Sequence, residues 1–95
     1  MAIFELAQFR ANDGDAMLAA LPEALAVLRA ASGCRSASVR RCIEEPDRFV
    51  VTVEWDTVEA HVDFREGEDF SAYRAPIGNF FAEPPAFAHY EDVEA

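Results

Sequence analysis

Apolar positions along the chain follow two periods, one of about 2 and one of about 3.6 residues, and switch between them several times. From Ile3 to Arg10 both alternating sets are largely apolar. Phe4 and Leu6 lie on one side and Ile3, Ala7 and Phe9 on the other, interrupted by Glu5 and Gln8. Such a segment predicts a strand covered on both faces. Asn12-Asp13-Gly14-Asp15 then supplies turn and N-cap chemistry. Met17, Leu18, Leu21, Leu25 and Leu28 follow at helical spacing until Gly33 offers a left-handed stop. Pro22 predicts a kink or a restart inside this first helix. Ser36 to Ile43 reads as a weaker strand carried by Val39 and Ile43, ended by the turn Glu44-Glu45-Pro46-Asp47. Phe49, Val51, Val53 and Trp55 then alternate with Arg48, Val50, Thr52 and Glu54, the clearest strand in the chain. The two segments predict a hairpin.

Asp56 with Glu59 three residues on matches a capping box and predicts a second helix starting at Asp56. Val58, His61, Val62 and Arg65 share one face of it, so His61 is expected to point at the sheet. Gly67 interrupts this helix. Phe70, Tyr73, Ile77 and Phe80 or Phe81 then recur every three to four residues, and Pro76 and Gly78 inside the stretch predict two short pieces. After Pro84-Pro85, Phe87, His89, Glu91 and Val93 alternate with Ala88, Tyr90 and Asp92 as a final strand. The order β-α-β-β-α-β predicts an α+β, ferredoxin-like domain, with helices on one face of a four-stranded antiparallel sheet. The other face then lacks a cover. Apolar residues on both sides of strands 1 and 3, Val50 among them, predict that a second copy packs there as a symmetric homodimer.

Composition narrows the classes. At 95 residues and 10.5 kDa the chain is expected to form a single domain over residues 1–95. Its 52% apolar and 27% charged residues are ordinary for a globular core. A net charge of −10 disfavours phosphate backbones and anionic membrane surfaces, so neither nucleic acid nor membrane is an expected partner. No apolar run approaches the ~18–20 residues that span a bilayer, and Met1 leads into Ala2-Ile3-Phe4-Glu5 without a basic segment. A cytoplasmic location is expected. Cys34 and Cys42 on one strand would stand ~26 Å apart at ~3.3 Å per residue, too far to pair, and are expected to be buried, reduced thiols.

Glu54-Trp55 at a strand end is followed by Thr57-Val58-Glu59-Ala60-His61, by Phe70-Ser71-Ala72-Tyr73 and by Ala88-His89-Tyr90-Glu91. Over nearly the whole chain this ordered set resembles the antibiotic biosynthesis monooxygenase family of dimeric α/β barrels. The resemblance implies a dimeric barrel and, from characterised members, cofactor-independent oxygenation of polycyclic phenols or quinol-type substrates. It marks Trp55 as pocket-lining, with the helix carrying Ala60-His61 and the aromatic Phe70 as the rest of its specific part. Relatives that degrade haem place their His further downstream of the Trp than His61 stands from Trp55, and their Asn lies in the first strand, whereas Asn12 sits in a turn signal. Haem degradation is not expected.

His61 has the ordinary pKa of about 6.5 that suits a base for a phenol, and equally suits a buried structural histidine. Trp55 can stack on a planar substrate or serve as core. Phe64, Phe70, Tyr73, Phe80 and Phe81 exceed what one helix-to-sheet seam needs; core packing is the first explanation and a flat aromatic-binding cavity the second. His89, opposite in face to Tyr90, suits a dimer contact or a hydrogen bond. The His and Cys residues show no metal-ligand spacing, no G-x-G occurs for flavin or nicotinamide, and no G-x-S-x-G elbow is present. No metal and no cofactor are therefore expected. The candidate site comprises His61 as the base, with Trp55, Phe64, Phe70, Tyr73 and Phe81 holding a small aromatic molecule. The competing function is a non-catalytic dimeric domain that binds a small apolar ligand or serves a structural role.

Overall fold

Residues 2–94 are described by a computed structural model. Four strands, β1 (Ile3–Arg10), β2 (Cys34–Arg41), β3 (Arg48–Trp55) and β4 (Ala86–Tyr90), form one antiparallel sheet in the order β2-β3-β1-β4. Helices α1 (Gly14–Arg29), α2 (Val58–Glu66) and α3 (Asp69–Arg74) and a 3₁₀ turn (Gly78–Phe80) complete the predicted α+β, ferredoxin-like order. The β1–β3 register pairs Ile3 with Trp55, Glu5 with Val53, Ala7 with Val51 and Phe9 with Phe49. On the other edge of β1, Glu5 pairs with His89 and Ala7 with Phe87. Since side chains alternate, all of these residues share the face that meets the helices.

That face carries the core. Phe9, Phe49, Val51, Val53 and Trp55 pack against Met17, Leu21, Leu25 and Leu28 of α1, all of them buried. The rings of Phe9 and Phe49 stack at 5.5 Å across the strand pair. Asp13 caps α1, its carboxylate accepting the Ala16 N–H at 3.1 Å. Pro22 lies inside α1 without ending it, contrary to the restart expected from its ring. It occupies the exposed side of the helix, where the Leu18 carbonyl it leaves unpaired can meet solvent. Gly33 does not cap α1, whose last turn closes at Ala30. It makes the turn into β2 instead, at φ 84°, and a Cβ there would stand 2.6 Å from the Ala60 Cβ.

Several boundaries differ from the sequence reading. Strand β2 begins two residues earlier, at Cys34, with a bulge between Cys34 and Ser36, and its pairing ends at Arg41–Phe49. Ile43 therefore falls in the turn and is 90% exposed. Thr57 rather than Asp56 caps α2, accepting the Ala60 N–H at 3.1 Å, because the Asp56 carboxylate is taken by Arg35. Within α2 the buried stripe is His61 and Phe64, which leaves Val58 in the first turn exposed. Strand β4 ends at Tyr90, paired with Phe4, because β1 has only Ile3 left to offer a partner beyond it; Val93 is exposed. Cys34 and Cys42 are free but half-buried rather than buried. The interrupted stretch after Gly67 forms two short pieces, as its Pro and Gly residues predict.

Among the described residues, no helix covers the opposite sheet face. Phe4, Leu6, Val50 and Thr52 lie half-buried there, beside the exposed Tyr90 ring. Among the described residues, no helix is long and apolar enough to cross a membrane.

Candidate functional site

A chain of acid–base groups crosses the helix-covered face. Glu5 stands in the middle of β1 on its inward side, only 9% exposed. The indole N–H of Trp55 donates to Glu5 Oε1 at 3.0 Å, and His61 Nε2 lies 3.3 Å from the same oxygen. His61 Nδ1 in turn lies 2.7 Å from His89 Nε2. Local structure supplies each member: the β1 register sets Glu5 beside His89, β3 ends at Trp55, and the Thr57 cap starts α2 so that His61 faces the sheet. The His61 ring stacks on Trp55 with centroids 5.3 Å apart and planes 21° apart. The edge of Phe87 meets it at 5.6 Å.

Burial governs the electrostatics. Desolvation pushes the Glu5 carboxyl above its ordinary value, against the pull of the Trp55 hydrogen bond and the nearby His89 and Arg65. Desolvation likewise lowers His61 to about 4, helped by its neighbours His89 and Arg65, so the imidazole is neutral at pH 7. Burial and the Glu5 charge raise the Tyr73 phenol to about 12. Against the chain lies a small, partly open cavity of about 40 Å³, lined among others by Glu5, His61, Phe64, Phe70 and Tyr73. The apolar side chains facing these groups keep the local dielectric low.

Of the residues chosen from sequence, His61, Phe64, Phe70 and Tyr73 come together around this cavity. Phe64 meets Phe70 and Tyr73 edge-on at 5.9 and 5.8 Å. Trp55 stands behind His61 rather than in the cavity; it is fully buried, and its ring is already covered by His61 and Phe64. Phe81 is not part of the cluster. It packs edge-on against Phe9 at 5.0 Å, bridges to Ala11 and lies under the Arg74 guanidinium. His89 takes the hydrogen-bonding role, toward His61. Glu5 was missed. Its signal was a lone carboxylate in the inward set Ile3, Glu5, Ala7, Phe9 of a strand apolar on both faces.

A larger groove of about 500 Å³ lies outside this chain, between the Ala31–Gly33 turn and α2. It is rimmed by Asp56, Glu59, Asp63, Glu68 and Asp69 and holds none of the histidines, so it offers negative charge rather than acid–base chemistry. Among the described residues, no group of three or more His, Cys, Asp or Glu side chains is arranged to hold a metal ion.

Fold and site together define a small α+β protein with a buried carboxylate–histidine chain beside an aromatic cavity. Residues 2–76 match the sequence model of the family described as antibiotic biosynthesis monooxygenase, and the chain belongs to that family. A solved protein of Bordetella bronchiseptica assigned to the same family is 34% identical, with a TM-score of 0.91 and 98% of each chain covered. The protein YczJ of Bacillus subtilis is 28% identical over 75 residues, which span 78% of this chain and 79% of that protein. SnoaB of Streptomyces nogalater, described as a cofactor-independent oxygenase, shares the fold at a TM-score of 0.85, with 8% identity and coverage of 99% and 95% of the two chains.

Proposed function

We propose that the protein is a cofactor-independent monooxygenase of a planar phenolic or quinol-type substrate, with acid–base chemistry centred on His61 and its partner Glu5. The observation that carries this reading is the buried Glu5–His61–His89 chain set against a cavity lined by Phe64, Phe70 and Tyr73. Family membership supports it. Without a cofactor, the substrate itself must reduce oxygen, which demands an electron-rich anion. A base removes the phenolic proton and the electron pair stays on the substrate. The anion adds oxygen to form a carbon hydroperoxide, and loss of water leaves a carbonyl. One oxygen atom thus enters the product and the other departs as water.

Apolar walls exclude bulk water from the anion and strengthen the hydrogen bonds that hold the base. A cavity of about 40 Å³ accommodates little more than one water, so a bicyclic substrate enters only when α3, whose Phe70 and Tyr73 form part of its wall, moves outward. The protein works as a homodimer in this reading, the half-buried Phe4, Leu6 and Val50 of one sheet covering those of the other. A charge of −10 and two free thiols suit the cytoplasm and a small-molecule partner rather than nucleic acid or a membrane surface.

The small cavity itself favours a second reading, a non-catalytic dimeric domain with a histidine-bridged core. Oxygen uptake separates the two. Purified, chelator-treated protein is mixed with anthrone or a naphthohydroquinone, and the rate is compared with spontaneous oxidation. Acceleration that survives chelator supports the oxygenase; none across a panel of such substrates supports the structural domain.

A further inference from the structure

From the geometry of this cluster we propose that Glu5, rather than His61, is the proton-accepting group of the cavity, and that His61 and His89 form its route to the surface. This deepens the oxygenase reading and rests on it for the identity of the proton donor. Three observations carry it. Both ring nitrogens of His61 face protein groups, Nδ1 hydrogen-bonded with His89 at 2.7 Å and Nε2 standing 3.3 Å from Glu5 Oε1, and one ring face lies against the Trp55 indole. Each His61 nitrogen therefore already has a protein neighbour. Glu5, in contrast, accepts the Trp55 N–H on Oε1 with His61 Nε2 3.3 Å away, while Oε2 has no hydrogen-bond partner among the described residues, on a side chain that lines the cavity. His89 stands on the edge strand β4 and is half-buried, so the chain runs from the small cavity to a partly solvated ring.

The chain can pass a proton when His61 carries its own on Nδ1, donated to His89 Nε2, so that the Nε2 lone pair faces Glu5. A phenolic O–H breaks, its proton passes to the Glu5 carboxylate, and the electron pair remains on the substrate oxygen. The carboxyl proton then moves to His61 Nε2 while the Nδ1 proton of His61 moves to His89 Nε2. Glu5 is again ionised, and His89, briefly an imidazolium, releases its other ring proton to solvent. The reverse pass delivers one proton to Glu5 when hydroxide leaves as water. One pass outward and one inward per turnover restore both imidazoles to their starting tautomers.

The charged and titratable groups around Glu5 come from every neighbouring element. They are Trp55 of β3, His89 of β4, His61 and Arg65 of α2, Tyr73 of α3 and Cys34 at the start of β2. Tyr73 stays neutral near pH 7, and Arg65 and His89 favour the ionised carboxylate, so burial is what moves Glu5 toward a useful basicity.

Trp55 is the single tryptophan of the chain, and its N–H donates to Glu5, so its fluorescence reports the ionisation of that group without any turnover. Wild-type protein titrated against pH should show an emission transition above the ordinary glutamate range, and Glu5→Gln, which keeps an oxygen for the indole, should abolish it. The carbon-13 shift of the Glu5 carboxyl in wild-type protein reads the same transition with no substitution. An unchanged fluorescence titration in Glu5→Gln, or a carboxyl shift that titrates in the ordinary range, overturns the proposal. With anthrone as probe, Glu5→Gln should lose about 10²- to 10⁴-fold in kcat. His89→Ala should lose kcat and regain it when imidazole is added, a rescue that a merely structural histidine does not show. Full activity of Glu5→Gln, or loss in His89→Ala that imidazole fails to restore, overturns the assignment. A wild-type protein inactive on every substrate sinks the oxygenase reading, and the titrations then decide the proton route by themselves.

Discussion

Trp55 and Glu5 are joined diagonally across two strands. The β1–β3 register places Trp55 opposite Ile3 and Glu5 opposite Val53, yet the indole N–H reaches over one pair to Glu5 Oε1 at 3.0 Å. A large aromatic at a strand end thereby becomes the donor that holds a buried carboxylate in place. The face of its ring is closed to ligands, and its polar edge is what the site uses.

Trp55→Phe keeps an aromatic ring and deletes that donor. The Glu5 carboxyl should titrate still higher, because the hydrogen bond from Trp55 favours its ionised form. Loss of a partner to a buried polar group should lower the unfolding free energy by about 1–3 kcal/mol. Chemical denaturation followed by circular dichroism measures the second effect and carbon-13 NMR of Glu5 the first.

Acid should destabilise the protein through His61. Its folded-state pKa is about 4 against an ordinary 6.5, so between those pH values the unfolded chain binds a proton that the folded chain does not. Stability from this group is complete above pH 6.5 and falls as the pH drops toward 4. Glu5, raised by burial, acts in the opposite sense: the folded state holds its proton longer, and stability falls as pH rises through the folded value. Thermal melts from pH 7.5 to 4 on wild type and His61→Phe should show a steeper acid decline in the wild type. Parallel curves would remove His61 as the source.

The open face of the sheet should set the oligomeric state. Light scattering is expected to give about 21 kDa, twice the chain mass of 10.5 kDa. Leu6→Glu places a charge among Phe4, Val50 and Thr52 on that face and should shift the protein to monomer, with a lower Tm. A Leu6→Glu protein that stays dimeric and melts normally would mean that another surface makes the dimer.

Gly33 should tolerate no side chain. Its φ of 84° and the 2.6 Å approach of a built Cβ to Ala60 penalise alanine twice. The left-handed backbone alone costs a non-glycine residue about 1–2 kcal/mol, or about 4–16 °C in Tm for a domain of this size. Gly33→Ala should melt at least that much lower, and adding Ala60→Gly should recover only the steric part. Differential scanning calorimetry on the single and double variants measures both.

How much of this was legible from residues alone depends on the range over which each feature is decided. Period-2 and period-3.6 patterns are local, so the strands, the helices, their order and the two short pieces after Gly67 follow from them; with the order comes the ferredoxin-like sheet. The inward direction of His61 is also local, because helical spacing alone sets it. Ends of elements were less legible, since Ile43 and Val93 look like strand residues and lose that role only where the partner strand runs out. The site itself is tertiary. Glu5 lies fifty residues from Trp55, and His61 twenty-eight from His89, so no window along the chain contains either pair. An isolated glutamate reads as a solvated charge. Strand register and the Thr57 cap bring the four side chains together, and the packed core removes the water that would otherwise set their proton affinities. The sequence by itself determined which faces are apolar and in what order the elements run. The folded arrangement alone decided that one of those faces holds a desolvated acid, because desolvation belongs to the assembled core and to no single segment.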